Sequence, residues 1–198
     1  LIATGIYSCS DEFLDETQNY NIDSENFFNS EEDYYLALIG AYDLLQPTYV
    51  NVLLGEIASD NTLCGGESAT DVVGFQQIDD MGHTEVNSNL RDIWNWMFAG
   101  ISRVNYFLEN QDKTEFEGRE AMIAEVRFLR AYYHFELVKW FGGLPIKNYE
   151  AALTGAGERF SSGDEQSIPR SSIAQVYALI ESDLIYAVNN LEYTAPQV

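Results

Sequence analysis

The sequence predicts a mainly all-α domain, built from antiparallel helix pairs around one long loop-rich insert. Three observations carry that expectation. Hydrophobic residues fill 46% of the 198 positions and aromatics 14%, far more apolar side-chain surface than a disordered chain holds. Apolar residues recur at helical intervals along several segments, which marks the buried face of a helix. Those segments are bounded by start and stop signals: Ser30 with Asp33, Ser172 with Gln175, and Gly142-Gly143 ahead of Pro145.

Each element follows in order. Residues 9–30 are polar and acidic with few periodic apolar positions, and read as an extended tether. Ser30 and Asp33 form a capping-box-like start. Tyr34, Tyr35, Leu38, Ile39, Tyr42 and Leu45 then recur at helical spacing, and Pro47 closes that helix. Residues 50–57 fit a helix or an extended segment. Ser59-Asp60-Asn61, the Gly65-Gly66 pair and a polar run to Asn87 read as a long loop, and long loops inside compact domains tend to be functional.

Helical period returns at residues 90–108, with Ile93, Trp94, Met97, Ile101, Val104 and Leu108 on one face. A second helix spans residues 116–141. Met122, Val126, Leu129, Tyr133, Leu137 and Trp140 form its main stripe, while Phe128, Ala131, Phe135 and Val138 occupy other faces. A helix apolar nearly all round belongs at the centre of a fold. Gly142 can take the left-handed C-cap, and Pro145 prevents continuation. Residues 148–168, rich in Gly, Ser and Glu, read as a loop. Ser172 and Gln175 open the last helix, striped by Ile173, Val176, Tyr177, Ile180, Leu184, Val188 and Leu191, with Pro196 stopping it. Bulky against small positions, such as Trp140 against Ala131 and Ala124, would let helices approach closely. Tetratricopeptide-like helix pairs fit this order, although the strict repeat consensus is absent.

Charge narrows the function. Ten basic residues face 32 acidic ones, for a net charge of −22. A field of that sign repels phosphate backbones and anionic headgroups, which excludes nucleic acid as a partner class. No apolar run is long enough to span a membrane as a helix. Cys9 and Cys64 are too few for a disulfide framework. His83 and His134 stand apart from other ligand-type residues, so no zinc spacing appears. The acidic clusters 31–33 and 79–80 lack the glycine and closing glutamate of a calcium loop.

No catalytic constellation emerges. Cys64 has no base beside it in sequence, and with 32 acids carboxylate pairs arise by chance. Trp94 and Trp140 fall on core stripes, whereas Trp96 lies off that face. The expected ligand-binding residues are therefore Asp60, Asn61, Asp71, Phe75 and Gln77, in the loop over residues 59–82. Polar side chains there can hydrogen-bond a ligand's polar groups and an aromatic ring can pack on its apolar face. No cofactor and no metal are expected.

The start of the chain looks like processing sequence. Residues 1–8 are apolar or small and resemble the tail of a secretory signal. Ile6-Tyr7-Ser8-Cys9 resembles a bacterial lipobox, in which Cys9 would carry the lipid; Tyr7 departs from the small residue usual there. Ser10-Asp11-Glu12 resembles the acidic tag that directs lipoproteins to the outer face of the outer membrane.

Residues 125–145, EVRFLRAYYHFELVKWFGGLP, closely resemble the most recognisable segment of the SusD/RagB family. CSDEFL at 9–14, ALIGAYDLL at 37–45, Ser59-Asp60, and the helix from Trp94 to Asn105 are similar to other family segments. The resemblance runs over residues 9–198. It implies a tetratricopeptide-like SusD-type scaffold over residues 31–198, within a protein about two to three times longer whose later portion supplies much of the ligand site. It also implies a non-enzymatic lipoprotein facing outward from the outer membrane. Such a protein binds oligosaccharide, or peptide in some members, and delivers it to a TonB-dependent, SusC-like transporter. A scaffold that contacts only proteins is the alternative.

Overall fold

The computed structural model describes residues 27–68 and 70–192. The signal-like residues 1–8, the anchor candidate Cys9 and the tether up to residue 26 lie outside the described residues. The described part is helical, with no strand and one isolated bridge between Pro145 and Arg170.

Helix α1 (Glu31–Tyr42) starts as expected: the Ser30 hydroxyl accepts from the Asp33 amide, and Asp33 returns a bond to the Ser30 amide. Its buried face is Tyr34, Leu38 and Ala41, whereas Tyr35, Ile39 and Tyr42 are exposed. Both sides of α1 are apolar, so period alone could not choose between them. A short 3-10 turn (Asp43–Leu45) leads into α2 (Thr48–Ile57). Pro47 thus ends one helix and opens the next, because a proline's missing N–H costs nothing ahead of a first turn.

The expected loop-rich insert contains α3 (Val73–Asp79). Helix α4 (Ser88–Glu109) and helix α5 (Arg119–Phe141) form the central antiparallel pair, and α8 (Ile173–Asn190) packs along α5. Two short helices, α6 (Tyr149–Leu153) and α7 (Asp164–Ser167), interrupt what read as a continuous loop. Local backbone bonds, such as Ile168 N to Asp164 O, give that Gly-rich stretch its turns.

The tether boundary moves inward. Phe27 and Phe28 are buried, and Phe28 packs edge-on against Tyr34 and Phe107. Thr114 Oγ1 and Lys113 Nζ donate to the carbonyls of Phe28 and Phe27. Aromatic burial of this kind stabilises by about 1.5–3 kcal/mol per side chain, so these residues belong to the core.

Helix α5 is central, packed against α1, α4 and α8. One side stays open, where Phe128 and Phe135 are 43% and 41% exposed. The tight approach in the α4–α5 interface is at Gly100: a Cβ there would sit 2.7 Å from the Tyr133 ring. Tyr133 in turn donates to the Ala41 carbonyl at 2.5 Å, tying α5 to α1.

The two arginines of the recognisable segment do not pair with acidic neighbours in sequence. Arg127 Nε and Arg130 Nη2 donate to Asp183 Oδ1 at 2.7 and 2.8 Å, and Arg130 Nε donates to Oδ2 at 2.7 Å. Arg130 also donates to the carbonyls of Ala152 and Ala156, and Arg127 lies over the Tyr186 ring. This cluster clamps α5, α6 and α8 together. It satisfies its own charges by hydrogen bonding, the condition for burying ions at all.

Candidate functional site: the segment between α2 and α4 and the adjoining aromatic cleft

The segment over residues 58–87 is held by its own side chains. Ser59 Oγ donates to Glu56 O and accepts from Asn61 N, forming a tight turn after α2. Asp79 Oδ2 accepts from the Cys64 amide at 2.9 Å. Asp71 Oδ2 accepts from the Glu67 amide, and Gln76 Nε2 donates to Ser68 O. Val72, ahead of α3, has φ 41° and ψ 42°, a left-handed conformation that is uncommon for a β-branched residue and marks stored strain.

Asn87 joins this segment to the core. Its Oδ1 accepts from the amides of Asn89 and Leu90, capping α4. Its Nδ2 donates to Gly74 O and to Gln77 Oε1. One side chain therefore fixes both the start of α4 and the position of α3.

The five expected ligand residues divide into two kinds. Asp60 and Asn61 are exposed at the turn after α2, with side-chain polar atoms free of protein partners among the described residues. Asp71, Phe75 and Gln77 are half-buried. Asp71 and Gln77 spend an oxygen each on the segment's own structure, and Phe75 packs on the core. Helix α3 carries Phe75 and Gln77, so they sit on a rigid element and not on the open loop that composition implied.

Sequence reading missed an adjoining feature. The end of this segment, the first turns of α4, the last turn of α5 and Arg170 enclose an open cleft of about 570 Å³. Its aromatic wall is Trp94, Trp140 and Phe141, with Trp94 edge-on to Phe141 at 5.1 Å. Arg91, Arg170, Glu85, His83 and Thr84 bring polar groups to the same space. Trp94 and Trp140 read as core from their stripes; they do touch the core, yet they remain half-buried and line this opening. Trp96 is also half-buried against the core. Arg170, 30 positions from Trp140 in the chain, was the signal that no local pattern could supply.

Arg170 is anchored. Its Nη1 donates to the carbonyls of Phe141 and Gly143, both at 3.0 Å, and its guanidinium lies 5.6 Å from the Trp94 ring centre. His134, by contrast, is enclosed: burial pushes its imidazole down to about 4, the Arg130 charge adds to that, and its Nδ1 contact with the Arg130 carbonyl opposes it. It lies beside Asn105, Lys147 and Glu158 around a void too small for more than a water. Among the described residues no group of His, Cys, Asp and Glu gathers as metal ligands, and no helix is long and apolar enough to cross a membrane.

Comparison with known proteins places the chain. A family described as starch-binding and associating with the outer membrane, of SusD-like type, matches residues 12–195. SusD-like protein P38 of Formosa agariphila is 28% identical over 193 residues, covering 96% of this chain and 36% of the relative. Among solved structures, a laminarin-binding SusD-like protein superposes with a TM-score of 0.70 at 26% identity, over 82% of this chain and 34% of its own. Surface glycan-binding protein A from Bacteroides uniformis gives 0.66 at 27% identity, over 81% and 34%. The chain thus spans about a third of the length of these relatives. With a family match over nearly its whole length and a shared helical scaffold, the chain belongs to the SusD-like family.

Proposed function

We propose that this chain forms the scaffold portion of a cell-surface glycan-binding protein, which captures oligosaccharide and passes it to a TonB-dependent, SusC-like transporter. The observation that carries the reading is the likeness, over more than four-fifths of the chain, to two solved proteins whose names state laminarin and glycan binding. The cleft, together with Asp60 and Asn61 at the exposed turn after α2, supplies the needed chemistry: aromatic rings for C–H faces and free polar groups for hydroxyls. Capture involves no bond making or breaking. Attachment to the outer face of the outer membrane comes from lipidated Cys9, consistent with the family's described outer-membrane association.

The test is a glycan array beside a peptide array. Binding to a soluble oligosaccharide, weakened about tenfold by Asp60→Ala with Asn61→Ala and unaccompanied by a change in thermal stability, is the expected result. Binding to peptides and to no glycan overturns it. Mass spectrometry of native membrane extract checks the anchor: an unmodified Cys9 thiol refutes lipidation.

A further inference from the structure

The chain has ten basic residues, and seven of them are committed to ion pairs: Arg103, Arg119, Arg127, Arg130, Lys139, Lys147 and Arg159. Lys113 is engaged with the carbonyl of Phe27. Arg91 and Arg170 have no carboxylate partner among the described residues. In a chain with 32 acidic residues that is an unexpected condition for an arginine, since carboxylates are never far away. Both of these arginines line the same cleft, and that cleft holds two of the chain's three tryptophans.

From this convergence we infer that the Trp94–Trp140 cleft is a subsite for an acidic sugar, a pyranose ring bearing a carboxylate or sulfate group. The inference rests on the glycan-binding reading and deepens it. An indole wall offers a pyranose an apolar face to pack on. A guanidinium offers an anionic oxygen pair a planar, two-pronged donor. Arg170 is pre-organised for that role, because two carbonyls and the Trp94 ring hold it in place while its remaining donors stay available. Arg91 sits three residues before Trp94 on the first turns of α4, exposed and without a hydrogen-bond partner for its side chain among the described residues. Glu85 and Thr84 at the rim can accept from and donate to ring hydroxyls. The arginines and the carboxylate of the lining number two against one, a local inversion of the chain's strongly acidic balance. Negative charge elsewhere repels an acidic glycan, so this cleft is where such a ligand finds an attractive field.

Isothermal titration of the protein decides the matter, using three probes of matched length: a linear oligouronate, a sulfated oligosaccharide and an uncharged oligoglucan. At least one acidic probe binds more tightly than the uncharged one, and its affinity falls as salt is added. Arg91→Gln weakens that probe about tenfold or more and leaves the uncharged probe unaffected. Arg91 is exposed and unpaired, so the variant folds; an unchanged melting temperature verifies this. Trp140→Phe, which keeps an aromatic wall, weakens the acidic probe less than Arg91→Gln does. Which acidic probe binds identifies carboxylate or sulfate as the recognised group. Equal binding of charged and uncharged probes, or acidic binding indifferent to Arg91→Gln, overturns the subsite. Acidic-probe binding that is lost with Asp60→Ala and Asn61→Ala but untouched by Arg91→Gln and Trp140→Phe also overturns it, while leaving glycan capture intact. No binding of any probe defeats both readings together.

Discussion

Replacing Asp183 by Ala should be the most damaging single substitution away from any ligand surface. Asp183 is fully buried and accepts three charged hydrogen bonds at 2.7–2.8 Å from Arg127 and Arg130. Its removal leaves two guanidinium groups inside the α5–α8 interface with no counter-charge. Breaking a buried ionic pair by deleting one partner costs about 3–5 kcal/mol, a large share of the roughly 5–15 kcal/mol that stabilises a typical domain. For a chain of this size each kcal/mol moves the melting point by about 2–4 °C, so Asp183→Ala should melt roughly 6–20 °C lower. The remaining bonds of Arg130 to Ala152 and Ala156 keep the α6 loop attached and limit the loss. Urea unfolding followed by far-ultraviolet circular dichroism measures the free energy, and a thermal melt the shift. A destabilisation under about 1 kcal/mol, the range of an exposed pair, would show that water reaches the cluster and that burial has been overvalued. A double-mutant cycle with Arg127→Leu separates pairing from packing: coupling of about 0.5–3 kcal/mol is expected for groups in one network.

Other positions give further tests. The His134 imidazole is held near 4 in the fold against about 6.5 in the unfolded chain, so the unfolded state binds the proton first. Its contribution is therefore complete above pH 6.5 and lost as pH falls towards 4, about 3 kcal/mol in all; His134→Gln should flatten that part of the stability–pH profile, and an unchanged slope refutes it. Gly100→Ala should destabilise by about 1–3 kcal/mol through overpacking against Tyr133, seen as a lower urea midpoint; a neutral effect would mean that the helices slide apart freely. Val72→Gly should stabilise, or cost nothing, because it relieves a left-handed backbone at a β-branched residue; a melting point lowered by several degrees contradicts the strain.

The legible part of the fold was what local chemistry writes. Both capping boxes and the ends of α4 and α5 follow from propensity and period, which act over a few residues. The stripe read on α8 does not hold: only Val176 and Ile180 of it are buried, while Ile173, Tyr177, Leu184, Val188 and Leu191 are exposed and Leu179, Asp183 and Ala187 face the core instead. What period could not decide was which of two apolar faces is covered. Tyr34 and Tyr35 are neighbours on α1, yet one is buried and the other is 48% exposed, because Phe28, Phe107 and Phe116 surround only the first. The same limit hid α3: its start depends on Val72 taking a left-handed conformation, and its seat on Asn87 bonding to Gly74 and Gln77. Neither is a preference that a window of sequence expresses. Asp60 and Asn61 could be placed at an exposed turn from Ser-Asp-Asn alone, while the engagement of Asp71 and Gln77 with their own segment depended on partners that only the folded chain supplies.

The family-marking Phe-Gly-Gly-Leu-Pro turn acquires a physical reason from this geometry, and the reason leads back to the cleft. Gly142 ends α5 at φ 69° and ψ −127°, a positive-φ conformation open to glycine though not the left-handed helical cap, and Gly143 lies so close to the Ser171 carbonyl that a side chain would collide with it. That closeness lets Ser171 N donate to Leu144 O and brings Pro145 into a bridge with Arg170. Arg170 then reaches the carbonyls of Phe141 and Gly143 and lies across Trp94. A motif that reads as a helix stop is thus also the hinge that delivers a distant arginine to an aromatic wall. Gly143→Ala should therefore do more than destabilise the turn. By pushing residues 170–171 away from α5 it should withdraw Arg170 from Trp94, increase quencher access to the indole fluorescence, and weaken an acidic sugar more than an uncharged one. If the variant loses stability but its tryptophan exposure and ligand preference stay the same, the turn is only a helix stop and the cleft does not depend on it.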